Sequence, residues 1–506
     1  MNPWIRLRLG GLALAVLTVT HATAALPRSS PEAQGVSSTA LLALVNTLDR
    51  EIEGLHSVMV VRRGHVIAEG WWAPYAAGHN HVLYSLSKSF TSTAVGLAAA
   101  EGRLSIDDEV LKFFPAEAPA EPSAHLKAMR VRDLLTMATG HQDEPPMSPD
   151  AMSARSFLAH PVPHLPGTHF KYNTPATFMQ SAIVQQVTGQ TVLDYLRPRL
   201  FEPLGITHPV WDTNFQGVSL GGYGLRVRTE DIAKLGQLYL QKGRWNGQQL
   251  LPSQWIEAAS SRQVSNGSNP SSDWNQGYGF QFWRCRHNAF RGDGAFGQYC
   301  VVMPDQEAVI AITSGVRDMQ AVLNVLWDKF LPACDAERLS PDAAAQTRLN
   351  EKLARLELPP AQGAETSPAA ARALNRRFVF PPNDQKLTSV TVASTDGSSS
   401  LRLALELDGS ELVLPAGFRR WQTGRSGFPA GPLAQFPDEP VAGTFGWVSD
   451  HTLEIKVCAY ETPFNFRLRL AFEGDRITLD REANVAFGPT KFGTLVGQAD
   501  PRPNVN

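Results

Sequence analysis

Several classes of protein are excluded by what this chain does not contain. It has no long run of basic residues, and 46 Lys and Arg against 48 Asp and Glu leave a formal net charge of −2. A chain so balanced carries neither the electrostatic footprint of a nucleic-acid binder nor a basic anchor for a membrane surface. Internal repeats of the solenoid kind are absent, which removes stacked arrays from consideration. The signature of disorder is missing as well, since 43% of the residues are hydrophobic and 19% charged. Histidines gather only in loops, at His79 and His81 and again at His160, His164 and His169, without the helical spacing of a zinc hydrolase. They read as surface or loop-packing residues, and neither a metal nor another cofactor is expected.

One apolar run stands out near the start. Arg6 and Arg8 precede the apolar residues 9–20, and Ala22-Thr23-Ala24 follows with a small-x-small cleavage pattern. The run is too short to span a bilayer comfortably. Residues 1–24 therefore read as an export signal rather than an anchor, with the periplasm or the medium as destination and no stable membrane insertion. Export would place the four cysteines in an oxidising compartment. Cys285 and Cys300 lie symmetrically about Arg291-Gly292-Asp293-Gly294, a stretch of turn composition. A hairpin there is expected to set the two opposite each other in a disulfide. Nothing local supports a second bridge between Cys334 and Cys458.

At 506 residues the chain exceeds one ordinary domain. Residues 38–55 have the pattern of an amphipathic helix, and 57–61 with 66–71 read as two strands around Arg63-Gly64. From 104 to 210 the pattern is helical with Pro-rich loops. It includes a short helix at 131–139 and a longer one with Thr174 as cap, Pro175 in its first turn and Gly189 past its end. Another helix runs from Thr229-Glu230-Asp231 to about residue 241. Strands return at 278–283, 298–303 and 308–313, and a last helix covers 319–330. Strands at both ends of a helical middle predict an α/β (α+β) fold, an antiparallel sheet flanked by helices with an inserted helical lobe. Residues 333–376 read as helix and linker. Beyond them 401–407, 453–457 and 466–470 alternate strictly between apolar and polar, the mark of a small all-β C-terminal domain over 377–500. The first domain is expected to span 30–332.

The chemistry concentrates in Tyr84-Ser85-Leu86-Ser87-Lys88. A polar opening leads into a helix that is apolar nearly all round and is stopped by Gly102. Ser85 and Lys88 are three apart and so share one helix face. A serine hydroxyl needs a base within hydrogen-bond reach, and a buried lysine loses its charge readily enough to be one. The helix N-terminus also aims N–H groups at a developing oxyanion. Two fixed positions in four recur by chance about once in a chain this long, so Ser85 as a cap and Lys88 as a solvated first-turn residue is the competing reading. Tyr172, just ahead of the 174–188 helix, is placed to point into a cleft or to be a half-buried structural tyrosine. The glycine-rich 292–297 is either a strand entry offering a backbone N–H or an ordinary hairpin turn. Trp71, Trp72, Trp274 and Trp283 suit a cleft wall or a core equally. Gly217-Val218-Ser219-Leu220-Gly221 satisfies the nucleophile-elbow pattern, but Gly221-Gly222-Tyr223-Gly224 cannot open the helix that an elbow requires.

Ser85-x-x-Lys88, then Tyr172-Asn173-Thr174, then the Gly-rich strand entry with Gln298-Tyr299, resemble in order and spacing the penicillin-recognising serine hydrolases. That superfamily includes class C β-lactamases, DD-carboxypeptidases and family VIII esterases. The stretches 101–108, 133–140 and 203–206 resemble the same group, and the likeness covers about residues 30–332. It implies a β-lactamase/transpeptidase-like fold with Ser85 as acylated nucleophile, Lys88 as base and Tyr172 as proton shuttle. It further implies the N–H groups of Ser85 and Ala295 as oxyanion hole, with Thr174, Asp293 and Gly294 against the substrate.

Two positions depart from the pattern. Thr174 stands where the family often has Asn, and Gly292 followed by Asp293 stands where it has Lys or His ahead of Thr-Gly. Arg291 could replace that cation only by reaching around. The departures favour an esterase or amidase acting on a small molecule or peptide. A β-lactamase or D-alanyl carboxypeptidase is the alternative, and a non-catalytic cell-envelope binding protein of the same fold is the alternative of another class.

Overall fold

A computed structural model describes residues 25–335, 337–395, 399–429 and 435–501. The expected export signal, 1–24, lies outside the described residues. Among them no helix is long and apolar enough to cross a membrane.

The first half of the fold is built on a six-stranded antiparallel sheet. Helix α1 (Ser38–Glu51) is capped by the Ser37 side chain, which accepts from the Ala40 N–H, and buries Leu41, Leu44, Val45 and Leu48 along one stripe. It leads into β1 (Leu55–Arg62), in which every residue is buried. Met59 and Val61 enter the core on one side of the sheet, Val58 and Val60 the core on the other. An uninterrupted apolar strand is what burial on both faces demands. Arg63 (φ 49°) and Gly64 (φ 78°) turn the chain into β2 (His65–Trp71), both central residues having the left-handed conformation of a tight hairpin.

The helical lobe follows, with α2 (Ser87–Ala100), α3 (Thr174–Thr188) and α4 (Thr229–Leu240) as its main members. Asn173, not Thr174, caps α3, accepting the Ala176 N–H. The chain then returns through β3 (Trp283–Arg284), β4 (Phe290–Gly294), β5 (Gln298–Met303) and β6 (Ala308–Ser314) to α5 (Met319–Val325). Sheet order is β2-β1-β6-β5-β4-β3, so strands from both ends of this unit meet at its centre, with Val58 opposite Ile312. The predicted strand at 278–283 is reduced to its last residue. Gln281 adopts φ 63°, which breaks the extended run before Trp283.

The predicted hairpin turn is also displaced, and with it the disulfide. Residues 291–294 belong to β4, and the turn lies at 295–297. Cys300 therefore faces Gly292 across the ladder rather than Cys285. Its thiol sits in the core on the α4 side, 3.4 Å from the Ile232 carbonyl, whereas Cys285 belongs to the core on the other side of the sheet and accepts from Arg291 at 3.0 Å. The expectation of a bridge between Cys285 and Cys300 is corrected: all four cysteines are free, Cys334 and Cys458 included.

The C-terminal domain is all β, with ten strands among the described residues from Arg376–Val379 to Leu495–Ala499. Leu401, Leu403, Leu405, Leu453, Ile455, Val457, Leu468 and Leu470, the alternating apolar positions, fill its interior. Strand Ser410–Phe418 pairs in parallel with Gln435–Ser449, which closes the sheet into a barrel. The barrel is tied to the first unit by a buried ion pair in which Arg226 Nη1 donates to both carboxylate oxygens of Glu439, at 2.8 and 2.9 Å.

Candidate active site

Ser85 occupies a single 3-10 turn, Tyr84–Leu86, that feeds directly into α2. From Ser87 to Ala98 every residue of the helix is buried. Three of its hydroxyl groups tie in neighbouring loops. Ser89 donates to the Gln281 carbonyl, Thr91 to the Gly221 carbonyl, and Ser87 accepts the Leu225 N–H. The helix ends as its sequence predicts. Gly102 is left-handed, and the N–H groups of Gly102 and Arg103 return to Ala99 and Ala98.

This burial carries Lys88 inward, where it is 1% exposed. Its Nζ lies 2.9 Å from Ser85 Oγ, 2.7 Å from the Gly222 carbonyl and 3.4 Å from Thr174 Oγ1. Burial pushes the amine down to about 7, against the opposing carboxylates of Glu144 and Asp293. A lysine in this state is available as a neutral amine near neutral pH.

Tyr172 packs beside the lysine. Its ring lies 5.0 Å from Lys88 Nζ and stacks on Trp283 with centroids 5.4 Å apart. Burial raises the phenol well above its ordinary range, with Asp293 adding to the effect. Burial therefore moves the two groups in opposite senses, favouring the neutral form of each.

The end of β4 is pressed against the serine turn. A Cβ placed on Gly294 would come within 1.9 Å of the Leu83 carbonyl and 3.1 Å of the Leu86 N–H nitrogen. This brings Ala295 to the same turn as Ser85. Gly292 faces α2, where a Cβ would meet Ser89 Oγ at 2.4 Å and Leu86 Cδ1 at 2.5 Å.

Arg291 does not reach around. It is fully buried, donates to Asp293 at 2.9 Å and to the Asp273 carbonyl at 2.7 Å, and lies 4.3 Å over the Trp274 ring. Asp293 is likewise enclosed, 6% exposed, in that ion pair. Burial raises its carboxyl, an effect the guanidinium opposes.

Ser85, Lys88, Tyr172, Thr174, Gly294 and Ala295 are thus brought together, although 210 positions separate the first from the last. Sequence reasoning missed Glu144, which accepts the Thr174 N–H at 2.8 Å. It lies in a Pro-bounded loop, and no spacing ties it to α3. Trp283 is at the site and Trp274 behind it. Trp72 is elsewhere, donating to Asp49. Ser219 is buried in a loop between two short strands, with no helix behind it. His81 is buried against His56, and His164 stacks on His169. A surface cavity of about 760 Å³, lined by Arg28, Val66, Gly70, Gln346 and Asn350 among others, shares no residue with this site.

The profile of the family described as Beta-lactamase matches residues 43–323, more than half of the chain. The chain belongs to that family and is a serine hydrolase. It is 26% identical over 346 residues to a 6-aminohexanoate-dimer hydrolase from Paenarthrobacter ureafaciens, covering 63% of this chain and 86% of that one. It is 24% identical over 243 residues to an Escherichia coli (strain K12) protein provisionally named a D-alanyl-D-alanine carboxypeptidase, covering 41% of this chain and 56% of that one. Among solved structures, a provisionally assigned beta-lactamase from Bacteroides dorei DSM 17855 superposes with a TM-score of 0.50 at 16% identity, over 58% of this chain and 99% of that one. That last likeness is one of fold.

Proposed function

We propose that the chain is an exported hydrolase that cleaves an ester or amide of a small molecule or peptide through an acyl-enzyme on Ser85. The observation that carries this reading is the 2.9 Å contact between Ser85 Oγ and a lysine amine pushed down to about 7. Neutral Lys88 takes the Ser85 proton as Oγ bonds to the substrate carbonyl carbon. The carbonyl oxygen becomes an oxyanion facing the N–H groups of Ser85 and Ala295. Collapse breaks the bond to the leaving alcohol or amine, which receives its proton through Tyr172. Water then adds to the acyl carbon, gives a proton back through the same groups, and releases the acid with Ser85 restored.

Two features support an ester or amide over a substrate held by its carboxylate. The family's Lys or His ahead of Thr-Gly is replaced by Gly292, and Arg291 is buried and paired with Asp293, donating also to the Asp273 carbonyl and to Cys285. Of the two carboxylates that act on Lys88, Asp293 is paired with Arg291, whereas Glu144 is half-buried, so an anionic substrate would meet like charge there. The two relatives, named as a 6-aminohexanoate-dimer hydrolase and provisionally as a D-alanyl-D-alanine carboxypeptidase, support amide and peptide bonds as substrates alongside esters.

The test is hydrolysis of short-chain p-nitrophenyl esters by the protein and its Ser85→Ala variant, with peptide amides and nitrocefin in parallel. Turnover in the first and none in the second is the expected result. Equal rates in both, or turnover of nitrocefin alone, would overturn the reading.

A further inference from the structure

The two residues that precede and follow the proposed oxyanion groups are both in an unfavourable backbone conformation. Tyr84, immediately before Ser85, has φ 46°, and Phe296, immediately after Ala295, has φ 66°. Bulky L residues avoid this left-handed region, and where they hold it the surroundings must over-determine them. Much of those surroundings comes from the C-terminal barrel. The Tyr84 ring meets Phe464 at 6.4 Å and Phe487 at 5.3 Å, and the Phe296 ring meets the same two at 5.8 and 4.8 Å. Tyr84 and Phe296 also meet each other edge-on at 5.7 Å. Val82 and Val485 complete the cluster. The Tyr84 hydroxyl is buried and without a hydrogen-bond partner among the described residues, so ring packing fixes this side chain.

The barrel loops that deliver these rings are fastened on both sides of the cluster. Asn484 donates to the Gly315 carbonyl at 3.0 Å and to Pro463 within its own domain at 2.9 Å. Arg317 donates to the Asn484 carbonyl at 2.7 Å. On the other side, the Val82 N–H donates to Glu461 and the Tyr75 hydroxyl to Thr462, each at 2.9 Å.

We propose that the C-terminal domain is a positioning element for acyl transfer. Phe464 and Phe487 clamp Tyr84 and Phe296, and so aim the N–H groups of Ser85 and Ala295 at one point. The inference rests on Ser85 being the acylated residue. Phe464 and Phe487 touch no reacting atom in this scheme. They act through the two residues they hold.

Phe487 is the better probe, being 45% exposed where Phe464 is 3% exposed and its loss endangers folding. The experiment uses the full chain as wild type, Phe487→Ala and Phe487→Leu. It reads burst kinetics on p-nitrophenyl esters, Ser85 acylation by mass spectrometry, and the unfolding temperature. A misaimed site is expected to lower kcat about 10- to 100-fold in Phe487→Ala. KM and the unfolding temperature should stay near wild type, and Phe487→Leu should restore most of the rate. Wild-type kcat in Phe487→Ala would overturn the proposal. A loss confined to KM would overturn it too, making Phe487 a substrate contact instead. A wild-type protein that takes no acyl group on Ser85 would defeat the hydrolase reading and this inference with it, an outcome distinct from the other two.

Discussion

Ser85 and Lys88 are one helical turn apart, and the fold buries the second while leaving the first half-exposed at the mouth of its turn. The 2.9 Å between Oγ and Nζ follows from local spacing. The proton affinity of Nζ does not, because it is set by everything packed around α2. Burial lowers the amine from its ordinary 10.5 to about 7, and Glu144 and Asp293 limit the fall. Below about 7 the amine is charged and cannot take the serine proton. Above it the amine is free to do so. The rate constant kcat/KM for an uncharged ester should therefore rise with pH through about 7 and then level, and a limb near 10 would refute the role. Glu144→Gln keeps an acceptor for the Thr174 N–H but removes a negative charge, so the limb should move to lower pH.

Tyr172→Phe separates the shuttle from the rest of the site. The Phe ring can keep the stack on Trp283, and the contact between Lys88 and Ser85 does not depend on the phenol. Loss of a group that moves a proton to the leaving atom is expected to cut kcat by about 10²- to 10⁴-fold, with the unfolding temperature nearly unchanged. The loss should be larger for an amide or alkyl ester than for a p-nitrophenyl ester, whose leaving group needs no proton. Equal losses across leaving groups would remove Tyr172 from that step.

Charge on the substrate gives a third check. Arg291, the cation of β4, is fully buried and occupied by Asp293, and Gly292 leaves the family's cation position empty of charge. Of two esters alike except for a carboxylate or an amide at the acyl end, the carboxylate should be hydrolysed less efficiently. The gap should narrow as salt is added. A preference for the carboxylate would point to a cation not accounted for by Lys88 and Arg291.

How far the sequence could be read depended on whether the deciding contacts were local. Ser85, Lys88 and the cap at Gly102 depend on neighbours within a turn or two, and they lie where the spacing places them. Strand β1 was legible from its unbroken apolar run, and the barrel from the alternation at Leu453, Ile455 and Val457. Glycine was the ambiguous letter. Gly292 and Gly294 looked like turn residues, yet they are strand residues that admit Ser89, Leu86 and Leu83 at close range. That one substitution of cause moved the turn to 295–297 and removed the geometry for the disulfide. Glu144, the stack of Tyr172 on Trp283 and the clamp of Phe464 and Phe487 join segments far apart in the chain, and no periodicity announces them.

The cysteines follow from the same correction. Burial pushes the Cys285 thiol up to about 11 and that of Cys300 up to about 12, so both are protonated and enclosed in the native state. Thiol titration under denaturing, non-reducing conditions should count four per chain, and reductant should leave the unfolding temperature where it was. A titration that finds two would restore the bridge and require a different path for β4.

The two glycines of β4 should behave differently when replaced, and the contrast tests how the strand meets the serine turn. A methyl group on Gly292 meets Ser89 Oγ at 2.4 Å and Leu86 Cδ1 at 2.5 Å, atoms at the ends of side chains that can rotate away. Gly292→Ala should fold, with a loss of about 1–3 kcal/mol from overpacking. A methyl group on Gly294 meets the Leu83 carbonyl oxygen at 1.9 Å, and that atom is backbone on the approach to Ser85. Nothing there can yield without moving either the end of β4 or the 3-10 turn, and either motion separates Ala295 from Ser85. Gly294→Ala should therefore lose acyl transfer by at least about 10²-fold even in whatever fraction folds, as expected when an oxyanion donor is displaced. Activity retained in Gly294→Ala alongside activity lost in Gly292→Ala would mean that the strand meets α2, rather than the serine turn, at the point that matters.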